Sequence, residues 1–173
     1  MRRVLAGAAV LGAVAALRTA NPPVLRAQED AVGIAVGSRA PGAAVQDLDG
    51  NPVDLAQFLG AKPVVLEFWA TWCPRCAALM PRIEAAHARY RDRVEFVEVA
   101  VGVNETLASV RRHVERHRYP FHFVWDGDGA AVRAYQAPTT SYVVVIDARG
   151  RVVYTGTGED QDIDAAIRRA TGG

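Results

Sequence analysis

The chain has 173 residues, half of them hydrophobic and 23% charged, which is enough for one packed domain and excludes a disordered protein. A net charge of +1, with acids interleaved among the arginines of residues 89–93 and 111–118, gives no footprint for nucleic acid. Two cysteines, Cys73 and Cys76, exclude a multi-bridge scaffold and a four-cysteine zinc site; redox chemistry leads, with a partial metal site second.

Arg2 and Arg3 precede an apolar run from Val4 to Leu17, the length of a signal-peptide core and short of the about 20 residues of a membrane span. Residues 1–27 therefore read as a signal peptide or an uncleaved N-terminal anchor, residues 28–40 as a linker, and residues 41–173 as the folded domain. Export would put the thiol pair where disulfides matter.

Val45 to Leu55 holds two short strands around an Asp49-Gly50-Asn51 turn. Pro63 to Trp69 is an almost unbroken apolar run, as expected of a strand buried on both faces. A helix is predicted from Pro74 to Tyr90, with Pro74 tolerated in the first turn and Pro81 a kink. Val94 to Val101 alternates Val and Phe with Glu and reads as a strand, and Asn104 or Thr106 caps a helix ending near His117. Phe121 to Trp125 is a strand, Ala130 to Tyr135 a helical turn, and Tyr142 to Ile146 a β-branched strand turning at residues 148–150 into Arg151 to Thr155. Asp160 or Asp162 starts the terminal helix. Helices alternating with apolar strands imply an α/β fold, a mixed sheet covered on both faces.

Phe68-Trp69-Ala70-Thr71-Trp72-Cys73-Pro74-Arg75-Cys76 sits where a strand meets a helix. Unpaired N–H groups and the partial positive charge of the helix N-terminus stabilise a thiolate at Cys73, and Arg75 adds a cation. Two intervening residues bring the second sulfur one turn on, so Cys73 can attack a disulfide and Cys76 can resolve the mixed species.

This stretch resembles the thioredoxin superfamily, and within it the exported TlpA/ResA-like branch. Gly37-Ser38-Arg39-Ala40-Pro41, Leu48-Asp49-Gly50-Asn51-Pro52-Val53, Lys62 through Cys76, Pro81 and Asp147 through Tyr154 carry the likeness across residues 37–170. It implies a thioredoxin fold with an N-terminal β-hairpin extension, and a protein-disulfide oxidoreductase without a cofactor or metal. The expected partners are protein thiols and disulfides and a membrane electron donor, with a monomeric protein acting as a reductase, for example in cytochrome c maturation.

Thioredoxins carry a buried Asp six positions before the first cysteine. Here that position is Glu67, and the resemblance makes it the proton acceptor for Cys76, against a carboxylate satisfied by Lys62 or a backbone group. Trp72 matches the family's partly exposed tryptophan, while Phe68, Trp69 and Trp125 read as core. Pro74 and Arg75 join Trp72 on the expected docking surface. The family's cis-proline opposite the disulfide falls on Pro138, followed by Thr139; the segment to Asp147 is about three residues longer than usual, so a second register would replace it by Ser141.

Competing readings are a disulfide-donating oxidase of the same fold, a peroxiredoxin, and a Sco-like metal chaperone. A peroxiredoxin needs Thr where the chain has Ala70. A metal chaperone would draw on His87, His113, His117 or His122; His113 and His117 share a helix face but lie among arginines, and read as a solvated surface. The acid clusters at residues 47–49, 126–128 and 159–162 lack the spacing of a calcium loop and read as turns and a helix start.

Overall fold

The computed structural model describes residues 32–172. Strands β1 (Ala44–Asp47) and β2 (Pro52–Asp54) form the predicted hairpin, closed by Asp47, whose carboxylate accepts from the Asp49 and Asn51 N–H groups. Strand β3 (Val64–Trp69), helix α1 (Pro74–Tyr90), strand β4 (Glu95–Val101), helix α2 (Leu107–His117) and strand β5 (His122–Asp126) follow. Helix α3 (Ala130–Ala134), strands β6 (Tyr142–Ile146) and β7 (Val152–Thr157), and helix α4 (Ile163–Thr171) complete the chain.

The seven strands make one mixed sheet in the order β2-β1-β5-β4-β3-β6-β7. Strands β3, β4 and β5 are parallel; β6 pairs antiparallel with β3, β7 with β6, and β1 with β5. The apolar run of β3 puts it in the centre, every residue buried. Its Val64, Leu66 and Phe68 pack with Val110 of α2 and Ala131 of α3, while Val65 packs with Leu79, Met80 and Ile83 of α1 and Ile163 and Ile167 of α4. Two helical layers thus cover the sheet. Helix α1 continues past Pro81, and Thr106 and Asp162, rather than Asn104 and Asp160, cap α2 and α4.

The predicted linker differs from the structure. Ile34 is buried, its N–H donating to the Tyr135 carbonyl at 3.1 Å and the Tyr142 hydroxyl at 3.0 Å. Gly37 and Ala40 bond to the Val152 and Gly150 backbone. Residues 32–40 are therefore part of the domain, a consequence of Ile34 and Ala40 finding apolar cover that their mixed surroundings in sequence did not reveal. The leader at residues 1–27 lies outside the described residues. Among these no helix is long and apolar enough to cross a membrane.

Candidate functional site

The site lies at the carboxyl end of β3, where the chain turns through Ala70 to Trp72 into α1. Cys73 is the N-cap in extended backbone conformation and Pro74 stands at the first helical position, where a missing N–H costs nothing. Cys73 and Cys76 are joined as a disulfide with Cα atoms 5.3 Å apart, and both are buried. Cys73 Sγ accepts from the Cys76 N–H at 3.1 Å, so the donor that would hold a thiolate at Cys73 is already aimed at it.

Arg75 points outward. Its Nε lies 3.7 Å from Glu159 on the β7–α4 loop, both side chains exposed, so the added cation is partly offset.

The active-site loop is tied to the loop between β4 and α2. Glu105 accepts from the Thr71 N–H and from the Thr71 hydroxyl, each at 2.7 Å, and from Ser109 Oγ at 2.9 Å. Trp72 Nε1 donates to the Val103 carbonyl at 2.8 Å. Ser109 and Thr106 form a reciprocal capping box, so the acid reaching Thr71 stands on a fixed helix start. Sequence reasoning passed over Glu105 and gave Thr71 no role. The available signal was an acid at the carboxyl end of a parallel strand, where α/β folds assemble their sites.

Trp72 is 47% exposed and Val103 58% exposed. With Val101, Pro138 and Thr139 they line a mainly apolar groove of about 350 Å³ that reaches Trp72, the residue before Cys73. The structure thus brings the predicted Trp72, Pro138 and Thr139 together. The cis geometry expected of Pro138 is not present: no peptide bond among the described residues is cis. The longer segment instead turns into β6 at Ser141, which adopts a left-handed φ of 55° and is fully buried. Its Oγ accepts from the Gly158 N–H and its carbonyl from the Gln161 amide. Ser141 and Tyr142 are therefore core, and do not line the groove as the second register required.

Glu67 is fully buried in β3, its side chain on the α1 face beside Val65. Lys62 pairs with Glu95 instead, so neither predicted alternative partner satisfies it. Directly opposite in the parallel pairing is Glu98 of β4, also buried. Burial raises the Glu67 carboxyl to about 8, and the neighbouring Glu98 works against the rise. Glu98 is driven well above the ordinary carboxylate range by burial first and by the neighbouring Glu67 charge second. Of the acids in β4, Glu95 is half-buried, but Glu98 is interior because helices cover both faces of the sheet.

Residues 35–169 match the Redoxin family model. The chain belongs to the Redoxin family. Within this Redoxin chain, 134 residues are 35% identical to the thiol-disulfide oxidoreductase ResA of Geobacillus kaustophilus, covering 76% of this chain and 75% of that one. ResA of Bacillus thuringiensis is 31% identical over 139 residues, 79% of either chain. A secreted Mycobacterium tuberculosis disulfide oxidoreductase superimposes with a TM-score of 0.61 at 28% identity, covering 74% of this chain and 94% of that one. The Redoxin chain is thus a TlpA/ResA-like thioredoxin-fold protein and a thiol–disulfide oxidoreductase, with the Cys73–Cys76 pair at the start of α1.

Proposed function

We propose that this oxidoreductase works outside the cytoplasm as a monomeric reductase of protein disulfides, of the kind serving cytochrome c maturation. The observation that carries the reading is the Cys73–Cys76 pair at the start of α1, with an apolar groove beside it and the buried Glu67 on the α1 face of the sheet. A substrate segment lies in the groove against Trp72, Pro138 and Thr139. The Cys73 thiolate attacks its disulfide, giving a mixed disulfide and a substrate thiolate that takes up a proton. Cys76 loses its proton to the Glu67 carboxylate and attacks Cys73 Sγ; the Cys73–Cys76 bond forms, and the second substrate sulfur leaves.

Charge around the pair supports the reducing direction. A strong oxidant needs a heavily stabilised thiolate. Here Arg75 is offset by Glu159, and Glu105 brings a negative group to the residue two before Cys73. Export is supported by the apolar leader, and by the secreted Mycobacterium relative. An exported reductant needs electrons from a membrane donor.

Equilibration of the domain in thiol–disulfide buffers, read by mass shift, tests the direction. A potential near or below about −250 mV fits a reductase, and one between about −120 and −180 mV makes the protein a disulfide donor. The role of Glu67 is tested separately: Glu67→Gln leaving the pH profile of the Cys76 step unchanged removes it from the mechanism.

A further inference from the structure

Glu98 has no part in the reaction as described so far, and its position is costly. It is 1% exposed and faces Glu67, which is fully buried, across the β3–β4 pairing. Two interior carboxylates side by side would repel each other in a low-dielectric core, and among the described residues neither has an ion-pair partner. Among the described residues neither oxygen of Glu67 has a donor, and Glu98 Oε2 lacks one too. A proton on Glu98 would supply the missing donor whenever Glu67 is ionised.

The surroundings decide which carboxyl keeps it. Glu67 has Val143 of β6 as its other sheet neighbour, and Glu98 has Phe123 of β5. From α4 the packing groups are the apolar Ile163, Ala166 and Ile167. Helix α1 contributes Leu79, Met80, Ile83 and Tyr90 to the same layer, while Cys76 in its first turn packs in the cluster with Phe68 and Trp69; the titratable groups of α1 on this side are Glu84, His87 and Tyr90. Tyr119, from the α2–β5 loop, feels the charges of Glu84, Glu98 and Glu67, and its ring stacks on His117 and Phe121. His87 is itself held below its usual value by burial and by Arg91, and sits edge-on to Phe96 and Phe121. Among the described residues no cation therefore stands against the pair to let both carboxyls ionise.

Strand β3 runs toward the disulfide and α1 runs back from it, so Glu67 stands nearer the first turn of α1, which carries Cys76, than Val65 does. Glu98 lies one strand further away.

We propose that Glu98 is a positioning residue: as a neutral carboxylic acid it donates a hydrogen bond that holds Glu67 as the carboxylate receiving the Cys76 proton. The proposal rests on the reading of Glu67 as that acceptor. In the balanced step, Cys76–SH and Glu67–COO⁻ become Cys76–S⁻ and Glu67–COOH, while Glu98 keeps its own proton. The thiolate then closes the bond to Cys73 and expels the substrate thiolate, which is protonated as Glu67 returns its proton through solvent or directly. A hydrogen bond to the charged form makes that form more accessible, so losing the donor makes Glu67 harder to ionise.

The experiment is single-turnover reaction of the reduced protein with dithiobis(nitrobenzoate) across pH. The first thiolate released reports Cys73 and the second reports resolution by Cys76. In Glu98→Leu the donor is gone, and the pH midpoint of the second release moves up by about one unit, slowing it roughly tenfold at neutral pH. In Glu98→Gln the amide N–H replaces the donor, and the midpoint returns to within a few tenths of wild type. Carboxyl-carbon NMR titration of Glu67 follows the same order, which a purely structural role would not produce. A Glu98→Leu midpoint equal to wild type, or equal shifts in Leu and Gln, overturns the proposal. If Glu67→Gln shifts the midpoint while Glu98→Leu does not, Glu67 remains the acceptor and Glu98 alone is refuted; if Glu67→Gln has no effect, the acceptor reading itself fails and the proposal falls with it.

Discussion

Glu105 holds Thr71 at two points, accepting both its backbone N–H and its hydroxyl at 2.7 Å. The contact joins the segment leading into the first cysteine to the start of a second helix. Since Trp72 Nε1 also bonds to Val103 on the same loop, the residues before Cys73 are fixed from outside the helix they begin. The loop carrying Glu105 also supplies the exposed wall of the groove, so disulfide geometry and substrate surface are set by one contact.

Glu105→Ala leaves the Thr71 N–H without its acceptor, and should cost about 1–3 kcal/mol. A melting temperature several degrees lower is expected for the oxidised protein. Glu105→Gln separates hydrogen bonding from charge, because the Thr71 hydroxyl can turn and accept from the amide while the carboxamide oxygen keeps the N–H. The Gln variant should melt near wild type. Both variants remove a negative group near Cys73, so both should shift the potential toward the oxidising side. A Gln variant with an unchanged potential would mean that the charge does not reach the thiolate.

Trp72 and Val103 are large apolar side chains left open to solvent beside the disulfide, the arrangement of a partner surface rather than a core. Trp72→Ala should alter stability by no more than about 1 kcal/mol, since it loses one exposed hydrogen bond and little burial. Reduction of a protein disulfide such as insulin should slow several-fold, while the rate with a small disulfide stays within twofold. Equal losses with the two substrates would assign Trp72 to the chemistry instead of docking.

Much of this arrangement is legible in the residues. The apolar run before Cys73, Pro74 at the first helical position and the Asp-Gly-Asn turn each specify local structure by themselves, and β3, α1 and β6 follow them closely. What escapes is whatever depends on a neighbour distant in sequence. Glu98 shares its face of β4 with Phe96 and Ala100, and only the pairing with β3 shows that it meets Glu67 there. Glu105 looks like an ordinary acid before a cap until the chain returns it to Thr71, 34 residues earlier. Pro138 has the family's run of residues, yet the extra length before Asp147 lets the chain turn at Ser141, where Gly158 and Gln161 hold it. The segment at 32–40 is similar: its cover comes from β7 and from Tyr135 and Tyr142, over a hundred residues away for Ile34 and Tyr142.

Asp126 illustrates an acid whose work is structural. It is buried at the end of β5 and accepts the Ala131 N–H at 3.1 Å and the Val132 N–H at 2.8 Å, capping α3 across the turn. Asp126→Ala leaves those donors unpaired and should cost about 2 kcal/mol. Because α3 leads into Ala137 and Pro138, protein-substrate reduction should weaken along with melting temperature. The reaction of Cys73 with a small disulfide should persist. Asp126→Asn, which keeps one acceptor, should recover about half the loss; an Asp126→Ala variant melting at the wild-type temperature would show that α3 does not depend on this cap.

The Glu67–Glu98 pair also gives stability a pH dependence of definite sign. An unfolded glutamate titrates near about 4.3, whereas folded Glu67 titrates at about 8 and Glu98 is displaced in the same direction. Between those values the folded chain holds more protons than the unfolded chain, so unfolding free energy falls as pH rises. The stabilisation is complete below the unfolded value and is lost by the time pH has passed the folded one. His87 and His113, lowered mainly by burial, act in the opposite sense but only below about 6.5, so pH 7 to 9 isolates the carboxyls. Oxidised protein is used because the disulfide removes both thiols from the titration. Wild type should melt lower at pH 9 than at pH 7, and a Glu67→Gln, Glu98→Gln double variant should lose most of that difference and exceed wild type at pH 9. Superimposable pH profiles for the two proteins would mean that the carboxyls titrate alike in folded and unfolded chains, which interior carboxyls without a cation cannot do.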